Sequence, residues 1–334
     1  MAERDASDWN EKDIAELTDK LGQLTASMSK VIIGQAEVIE SLVICLIAGG
    51  HALVEGVPGL GKTLLVKSLA QATDMQFRRV QFTPDLMPSD IVGTEILDED
   101  SSTHQRVFRF QRGPVFTQVL LADEINRAPP KTQSALLEAM QERSVTFAGH
   151  THALPRPFFV LATQNPIEQA GTYPLPEAQL DRFLLRIDVG YPSEAEEMAM
   201  VSATTHAGLA DAQPAMAVAS LLRLQQLVRD IEIGEHLLRY ATRLVRATRP
   251  ADSAVASVKQ HVGWGAGPRA GQALVLAAKA RALMHGRLAV TREDIAAMLL
   301  PVLAHRVLRN FEAEADGVAV ADILAALREH IQID

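Results

Sequence analysis

The chain holds a single cysteine, Cys45, so no intrachain disulfide framework supports the fold, and one thiol in 334 residues fits a reducing compartment. Aromatic residues are scarce at 4%, which leaves the core to Leu, Val, Ile and Ala. Positive charge is in deficit, 32 Lys and Arg against 41 Asp and Glu. The resulting net charge of −9 gives no overall field that draws the chain onto nucleic acid or an anionic membrane, although a local basic patch stays open. Long apolar runs are missing as well. The longest, Ser41 to Val54, is broken by a glycine pair and His51 and falls short of the ~20 residues of a membrane span. The opening MAERDASDWNEKD is acidic and has no apolar segment of the secretory kind, so the expectation is a soluble, cytoplasmic protein.

What is present is an ordinary globular balance, 48% hydrophobic and 22% charged, at a length that suits about two domains. Helical apolar spacing runs from residue 11 to 48, with a break at Val31-Ile32-Ile33-Gly34-Gln35. Short apolar runs at His51 to Glu55, Gln76 to Phe82, Gln118 to Ala122, Phe158 to Thr163 and Phe183 to Val189 read as strands. Helices at Lys62 to Thr73 and Pro130 to Glu142 alternate with them, which predicts a parallel sheet covered on both faces. Two stretches break the alternation and read as inserted hairpins. Ile91 to Phe110 turns at the acidic tip Asp98-Glu99-Asp100-Ser101-Ser102, and Ser144 to Pro157 turns near Gly149. After Tyr191-Pro192-Ser193 the chain is rich in Ala and Leu with helical spacing and no convincing strand. The expected domains are therefore 1–192 and 193–334.

Gly56-Val57-Pro58-Gly59-Leu60-Gly61-Lys62-Thr63 matches GxxxxGK[ST] between an apolar strand and a helix. A Gly-rich strand-to-helix turn that binds nothing has the same composition, but the flanking strand and helix are the context that selects the phosphate reading. Glycine permits positive φ and close backbone approach, so successive N–H groups surround a phosphate at the helix N-terminus. Lys62 then reaches the β- and γ-phosphates of ATP, Thr63 offers a hydroxyl to Mg²⁺, and Leu64 follows inside the helix. Downstream, Val119-Leu120-Leu121-Ala122-Asp123-Glu124 is an apolar strand ending in two acids. Taken alone such a pair equally caps the following loop. With the upstream loop it reads as a Mg²⁺ carboxylate, Asp123, and a general base for the attacking water, Glu124. The Gln76 to Phe82 strand between the two motifs favours ATP hydrolysis over a GTP switch.

Taken together, VIIGQ, GVPGLGKT, LLADEINRAPPKTQSALLEAMQE from Leu120, ATQNPIEQAGTYPLPEAQLDRF from Ala162 and GAGPRA from Gly265 resemble the AAA+ ATPases, and within them the MoxR family, over essentially the whole chain. The resemblance implies an α/β AAA+ P-loop NTPase core with a five-stranded parallel sheet flanked by helices, two inserted β-hairpins and a C-terminal all-α lid domain. By the same resemblance Asn165 is similar to the sensor that positions water near the γ-phosphate, although an Asn before Pro166 is also a turn former. Arg182 is similar to the arginine finger that enters a neighbouring subunit's site; its other reading is an ion pair with a nearby acid. Arg269, after Gly267-Pro268, is similar to the second sensor, or else is a solvent-facing arginine at a helix start. It follows GAG where the family has GAS. Ile33, Gly34 and Gln35 are similar to the segment lining the adenine pocket.

Other features carry less. His150-Thr151-His152 has no Cys or acid cluster nearby to make a metal site. Arg243, Arg246 and Arg249 share one helical face, a phosphate stripe or, more commonly, a solvated or subunit-contact face. The hairpin tips lack Lys and Arg, which disfavours tracking along nucleic acid. The resemblance implies a ring, a hexamer, that remodels or matures partner proteins, among them proteins with von Willebrand factor A domains. The rival readings are a nucleic-acid-stimulated motor, an ATP-binding switch without turnover, and a subunit of a chelatase-like complex.

Overall fold

The computed structural model describes residues 9–99, 106–165, 171–206 and 211–333. Helix α1 (Glu11–Ser29) starts on Asn10, whose Oδ1 accepts from the Asp13 N–H at 2.8 Å, and it buries Leu17, Leu21, Leu24 and Met28 at helical spacing. Gly34 and Gln35, both at positive φ, turn the chain into α2 (Ala36–Ile47), which is buried along most of its length and carries Cys45 in the core. Burial pushes that thiol well above its ordinary range, so it is inert packing. Then come β1 (Ala52–Gly56), α3 (Lys62–Ala72), β2 (Phe77–Gln81), α4 (Pro88–Val92) and the hairpin of β3 (Gly93–Glu99) and β4 (Arg106–Arg112). The core continues with β5 (Val119–Asp123), α5 (Pro130–Glu142), the hairpin of β6 (Ser144–Phe147) and β7 (His150–Ala153), β8 (Phe159–Gln164), α6 (Glu177–Leu180) and β9 (Leu185–Val189).

Five of these strands form one parallel sheet in the order β2-β5-β8-β1-β9. The three central strands, β5, β8 and β1, are apolar almost throughout because both of their faces are covered, whereas the edge strands β2 and β9 carry exposed polar residues. Val54, Val119, Leu121, Leu161 and Ile187 face a cluster shared with α1, α2, α3 and the C-terminal helices. Leu53, Leu120, Ala122, Val160 and Ala162 face Leu136, Leu137 and Met140 of α5, with Ile91 and Phe183. His51 belongs to this packing: its Nδ1 accepts from the Val160 N–H at 3.0 Å, and burial pushes its pKa down to about 4, so it is neutral.

The first hairpin starts two residues later than the sequence reading has it, because Ile91 and Val92 close α4. Its base is closed by Gly93 and Gly113: a Cβ on either would collide with the backbone of the opposite strand. Asp98 and Glu99 lie in β3, while Asp100, Ser101 and Ser102 of the expected tip fall outside the described residues. The second hairpin turns at Ala148 and Gly149, both at positive φ. The hairpins touch through Phe110, which stacks on Phe147 and His152 at ring-centroid distances of 5.4 and 4.4 Å.

The C-terminal part is helical: α7 (Glu194–His206), α8 (Val218–Asp230), α9 (Glu235–Ala247), α10 (Ala256–His261), α11 (Pro268–Met284), α12 (Arg292–Leu303), α13 (Phe311–Ala315) and α14 (Val320–His330). One small feature departs from the all-helical expectation, an antiparallel ladder of β10 (Val262–Trp264) and β11 (Leu308–Arg309). It is too short to carry a strand signature in sequence. Helices α8 and α11 pack on α2, so one continuous apolar cluster joins the sheet to these helices. No helix among the described residues is long and apolar enough to cross a membrane.

Asp294 pins the turn between α11 and α12. It is fully buried and accepts from Arg281 Nη1 at 2.7 Å, from Arg287 through both Nη1 and Nη2, and from the Thr291 N–H at 2.9 Å. Burial pushes its pKa up, but the hydrogen bonds from Arg287, Thr291 and Arg281 outweigh this and hold it at about 2, against 3.8 for a free carboxyl. A depressed folded pKa contributes stability above the unfolded value, lost as pH falls through the folded one. Asp294→Asn is expected to lower the unfolding free energy by about 2 kcal/mol at neutral pH. In urea titrations the gap from wild type should narrow as pH drops from 4 to 2; coincident curves at neutral pH would assign the turn's stability elsewhere.

Candidate active site

Polar chemistry on the buried central strands is confined to their ends, and the chain here reverses its direction of travel around β1: α3 leads to the far edge, whereas β9 adds on the other side. The C-terminal ends of β5, β8 and β1 are adjacent, which brings Asp123, Asn165 and the loop after Gly56 together. Gly56 is held against β9, where a Cβ would lie 2.6 Å from the Val189 carbonyl oxygen. Gly59 and Gly61 take φ of 89° and 75°, and a Cβ at either would point into open space. The loop is therefore an open backbone cradle at the start of α3.

Lys62 Nζ folds back to donate to the Gly56 carbonyl. Burial lowers its pKa, and the charges of Asp123 and Glu124 oppose that shift, which puts all three groups in one electrostatic neighbourhood. Thr63 is exposed in the first turn of α3, and Pro58 is exposed on the loop. Leu60 and Leu64 are half-buried and pack against the core below.

Asp123 and Glu124 are organised by residues the sequence reading passed over. Thr163 Oγ1 donates to Asp123 Oδ1 at 2.6 Å and accepts from the Glu124 N–H at 2.8 Å. Arg79, on β2, donates through Nε and Nη2 to Asp123 Oδ2 at 3.0 and 2.7 Å. Gln81 donates to Glu124 Oε2 at 2.9 Å, and Arg127 to the same oxygen at 3.2 Å. Among the described residues Glu124 Oε1 takes no hydrogen bond. Glu124 itself sits at φ 56° and ψ 50°, a left-handed conformation that costs a non-glycine residue about 1–2 kcal/mol. Arg79 and Gln81 are invisible without the register, since only the β2-β5 pairing puts Gln81 opposite Asp123.

Asn165 is buried just beyond β8, between the ends of β5 and β1. Pro166 and the residues to Ala170 lie outside the described residues. The segment Ile33-Gly34-Gln35 reaches the same end of the sheet: a Cβ on Gly34 would collide with the side chain of Glu196, at the start of α7 just after β9. Hydrogen bonds from Ser193 and the Gln35 backbone hold the Glu196 carboxyl below its ordinary range.

Arg182 and Arg269 are elsewhere. Arg182 lies in the turn before β9, and β9 pairs in parallel with β1 from Ala52 to Gly56, so five residues of strand, ~16 Å, separate it from the loop after Gly56. Among the described residues its guanidinium has no acid partner; the neighbouring Asp181 is paired instead with Arg306, at 2.7 Å. Arg269 is exposed at the start of α11. Gly265 and Gly267, which lead into that helix, line a cavity of about 550 Å³ with Glu177, Asp181 and Arg306, beside the Arg182 turn. Arg246 and Arg249 share Asp252 at 3.6 and 3.9 Å, and no group of three or more metal-ligating side chains occurs among the described residues.

The oxygen donors of Thr63 and Asp123 suit a hard divalent cation such as Mg²⁺, and the open cradle with Lys62 suits a polyphosphate. Residues 51–185 match the family model described as ATPase family associated with various cellular activities (AAA), and residues 255–327 match the AAA lid domain. The chain is similar to Chaperone MoxR1 of Mycobacterium tuberculosis, 44% identical over 295 residues, covering 87% of this chain and 76% of that protein. It is also similar to Protein MoxR of Paracoccus denitrificans, 33% identical, covering 90% and 93% respectively. A crystal structure of a protein from Cytophaga hutchinsonii superposes with a TM-score of 0.89 at 39% identity, covering 97% of this chain and 98% of that one.

Thr163 is the shared support of both acids, so Thr163→Val is expected to reduce ATP turnover about 10²-fold, the scale of a misplaced reacting group. Affinity for a fluorescent ATP analogue should stay within about threefold of wild type, because the cradle and Lys62 are untouched. Unchanged turnover would show that Glu124 holds its left-handed position without the hydroxyl.

Proposed function

The chain belongs to the MoxR family of AAA+ ATPases, and from that premise we propose that it hydrolyses ATP to ADP and phosphate in a site shared between subunits of a ring. The convergence of Lys62, Thr63, Asp123, Glu124 and Asn165 at one end of the sheet carries the hydrolytic part of this reading. In it, the N–H groups of the loop at Gly59, Leu60 and Gly61 and the Lys62 ammonium bind the β- and γ-phosphates. Thr63 and Asp123 would hold Mg²⁺, which when bound would supply positive charge to offset that of the phosphates. Glu124 takes the proton of the attacking water through Oε1, the oxygen that Gln81 and Arg127 leave free. Asn165 orients that water, and Ile33, Gly34 and Gln35 border the adenine.

Assembly is carried by Arg182. It stands ~16 Å of strand away from its own phosphate loop, and among the described residues no acid is paired with it, Asp181 being bonded to Arg306, the arrangement of a cation offered to a neighbour. Arg269 enters near the same turn and in this reading serves the same shared site. The ring is taken as a hexamer of cytoplasmic protein whose domains divide at 192 and 193. Its work is chaperone-like remodelling of partner proteins, in line with the name of the mycobacterial relative, with von Willebrand factor A domain proteins as the partner class.

A nucleic-acid motor has one observation in its favour. Strand β4 carries Arg106, Arg109 and Arg112 beside Phe108, which is 73% exposed, so the hairpin is more basic and aromatic than its tip. Turnover that rises steeply on adding DNA, with strong salt dependence, would favour that reading; indifference to DNA fits protein remodelling.

The decisive measurement is ATPase rate per subunit against protein concentration with Mg²⁺. Wild type should become more active as concentration rises, and Arg182→Ala should lose about 10³-fold, the effect of an arginine supplied in trans. Glu124→Gln should bind ATP normally and lose at least about 10²-fold in turnover. A rate that is flat with concentration and indifferent to Arg182 would point to a self-contained site, and no turnover at all would point to a binding switch.

A further inference from the structure

Arg306 lies just beyond the end of α12, and only 4% of its side chain is exposed. A guanidinium carries five N–H donors, and here every one is engaged. Nε donates to Asp181 Oδ1 at 2.7 Å, and Nη2 donates to the carbonyls of Asp181 at 3.3 Å and Phe183 at 2.7 Å. Nη1 donates to the Leu184 carbonyl at 3.2 Å and to the Val302 carbonyl near the end of α12. Apart from the bond to Val302, all of them end on residues 181, 183 and 184, which flank Arg182 on both sides.

His305 adds to this grip. Its Nε2 lies 3.0 Å from the Phe183 carbonyl oxygen, and since a carbonyl only accepts, Nε2 carries the proton. Burial, with the Arg306 charge beside it, holds its pKa well below the ordinary imidazole range, so the ring is neutral. His305 also lines a cavity of about 320 Å³ together with Asn165 and Glu55. The C-terminal part thus holds the backbone of the Arg182 turn through two consecutive residues, one of which also lines a cavity with Asn165.

We propose that Arg306, seconded by His305, is a positioning residue for Arg182: it fixes the 181–184 turn to α12, so that the placement of the C-terminal helices sets how the arginine is offered to the neighbouring subunit. This rests on the reading of Arg182 as acting in trans. A side chain with five oriented donors transmits displacement in a way a point charge does not, because moving α12 moves the acceptors on both sides of Arg182 together.

Mixed rings test it. Subunits with Arg182→Ala keep an intact Lys62 to Glu124 site but offer no arginine, and subunits with Glu124→Gln offer the arginine but lack the base. Mixed together they should regain turnover at Arg182→Ala sites that face a Glu124→Gln neighbour. Arg306→Lys is then added to one parent at a time. Placed in the Glu124→Gln subunit, which donates Arg182, it should cut the regained turnover by about tenfold or more. Placed in the Arg182→Ala subunit, where there is no arginine to position, it should leave turnover within about twofold. Equal losses, or a loss confined to the Arg182→Ala subunit, would overturn the proposal. Should Arg306→Lys fail to assemble, Asp181→Asn enters the same two arms, keeping the backbone bonds while removing the charge; failure of both to assemble would mark the contact as structural and also overturn it. A parental mixture with no regained turnover is a separate outcome: the reading of Arg182 in trans fails, and the clamp fails with it.

Discussion

Burial of the parallel sheet on both faces is the constraint from which the rest follows. Leu53, Val54, Leu120, Leu121, Val160 and Leu161 leave no room for a polar group along the middle of the central strands. A carboxylate buried there without a partner would cost several kcal/mol. Along these central strands charge is tolerated only where the strands end, and the parallel register sends every C-terminal end to one side. The strand order then places the loop after Gly56, Asp123 and Asn165 on neighbouring ends. The site is thus a by-product of how an apolar sheet must be closed, with the identities of a few terminal residues deciding its chemistry.

Within that site one hydroxyl organises both acids. Thr163 donates to the Asp123 carboxylate and accepts from the Glu124 N–H, so its two hydrogen-bonding roles tie the end of β5 to the end of β8. The left-handed backbone of Glu124 is the strained part of this arrangement, and strain of that kind persists only where surrounding bonds over-determine it. The bond to Thr163, the following 3₁₀ turn and the bonds to Gln81 and Arg127 supply them. Arg79 serves a related end: with both oxygens of Asp123 already paired, the carboxylate does not face the cradle as an uncompensated charge. Lys62 is matched in the same way, bonded to the loop's own Gly56 carbonyl.

The sequence was most legible where periodicity and a local motif coincide. The five sheet strands lie within two residues of the apolar runs that predict them, and α5 spans Pro130–Glu142 as read, because both elements are set by short-range spacing. Lys62, Thr63, Asp123 and Glu124 were legible for the same reason, each being part of a strand-to-helix or strand-to-loop junction written in consecutive residues. Arg79, Gln81 and Thr163 were not, since a polar residue near a strand end becomes a partner of Asp123 or Glu124 only through a register that sequence spacing does not encode. Arg306 was further out of reach. Its partners lie more than a hundred residues earlier in the chain, and nothing in Ala304-His305-Arg306-Val307 distinguishes a buried clamp from a helix-end arginine facing solvent. The β10-β11 ladder escaped because two strands of three and two residues leave no alternation to detect.

Arg306 also bears on why a charged residue is kept in such a place. Burial lowers its pKa, and the Asp181 carboxylate offsets that by hydrogen bonding and by its charge. A buried ion pair of this kind is weak support for stability, since apolar residues of similar volume often serve as well or better. What apolar residues do not supply is direction. They would pack the end of α12 against β9 while leaving the 181–184 backbone free to slide, whereas a planar guanidinium bonded to Asp181, Phe183 and Leu184 admits one orientation of that turn. Retaining the costly residue is reasonable where orientation matters more than stability, and the segment oriented here carries Arg182, which the β1-β9 pairing sets ~16 Å of strand away from the loop after Gly56.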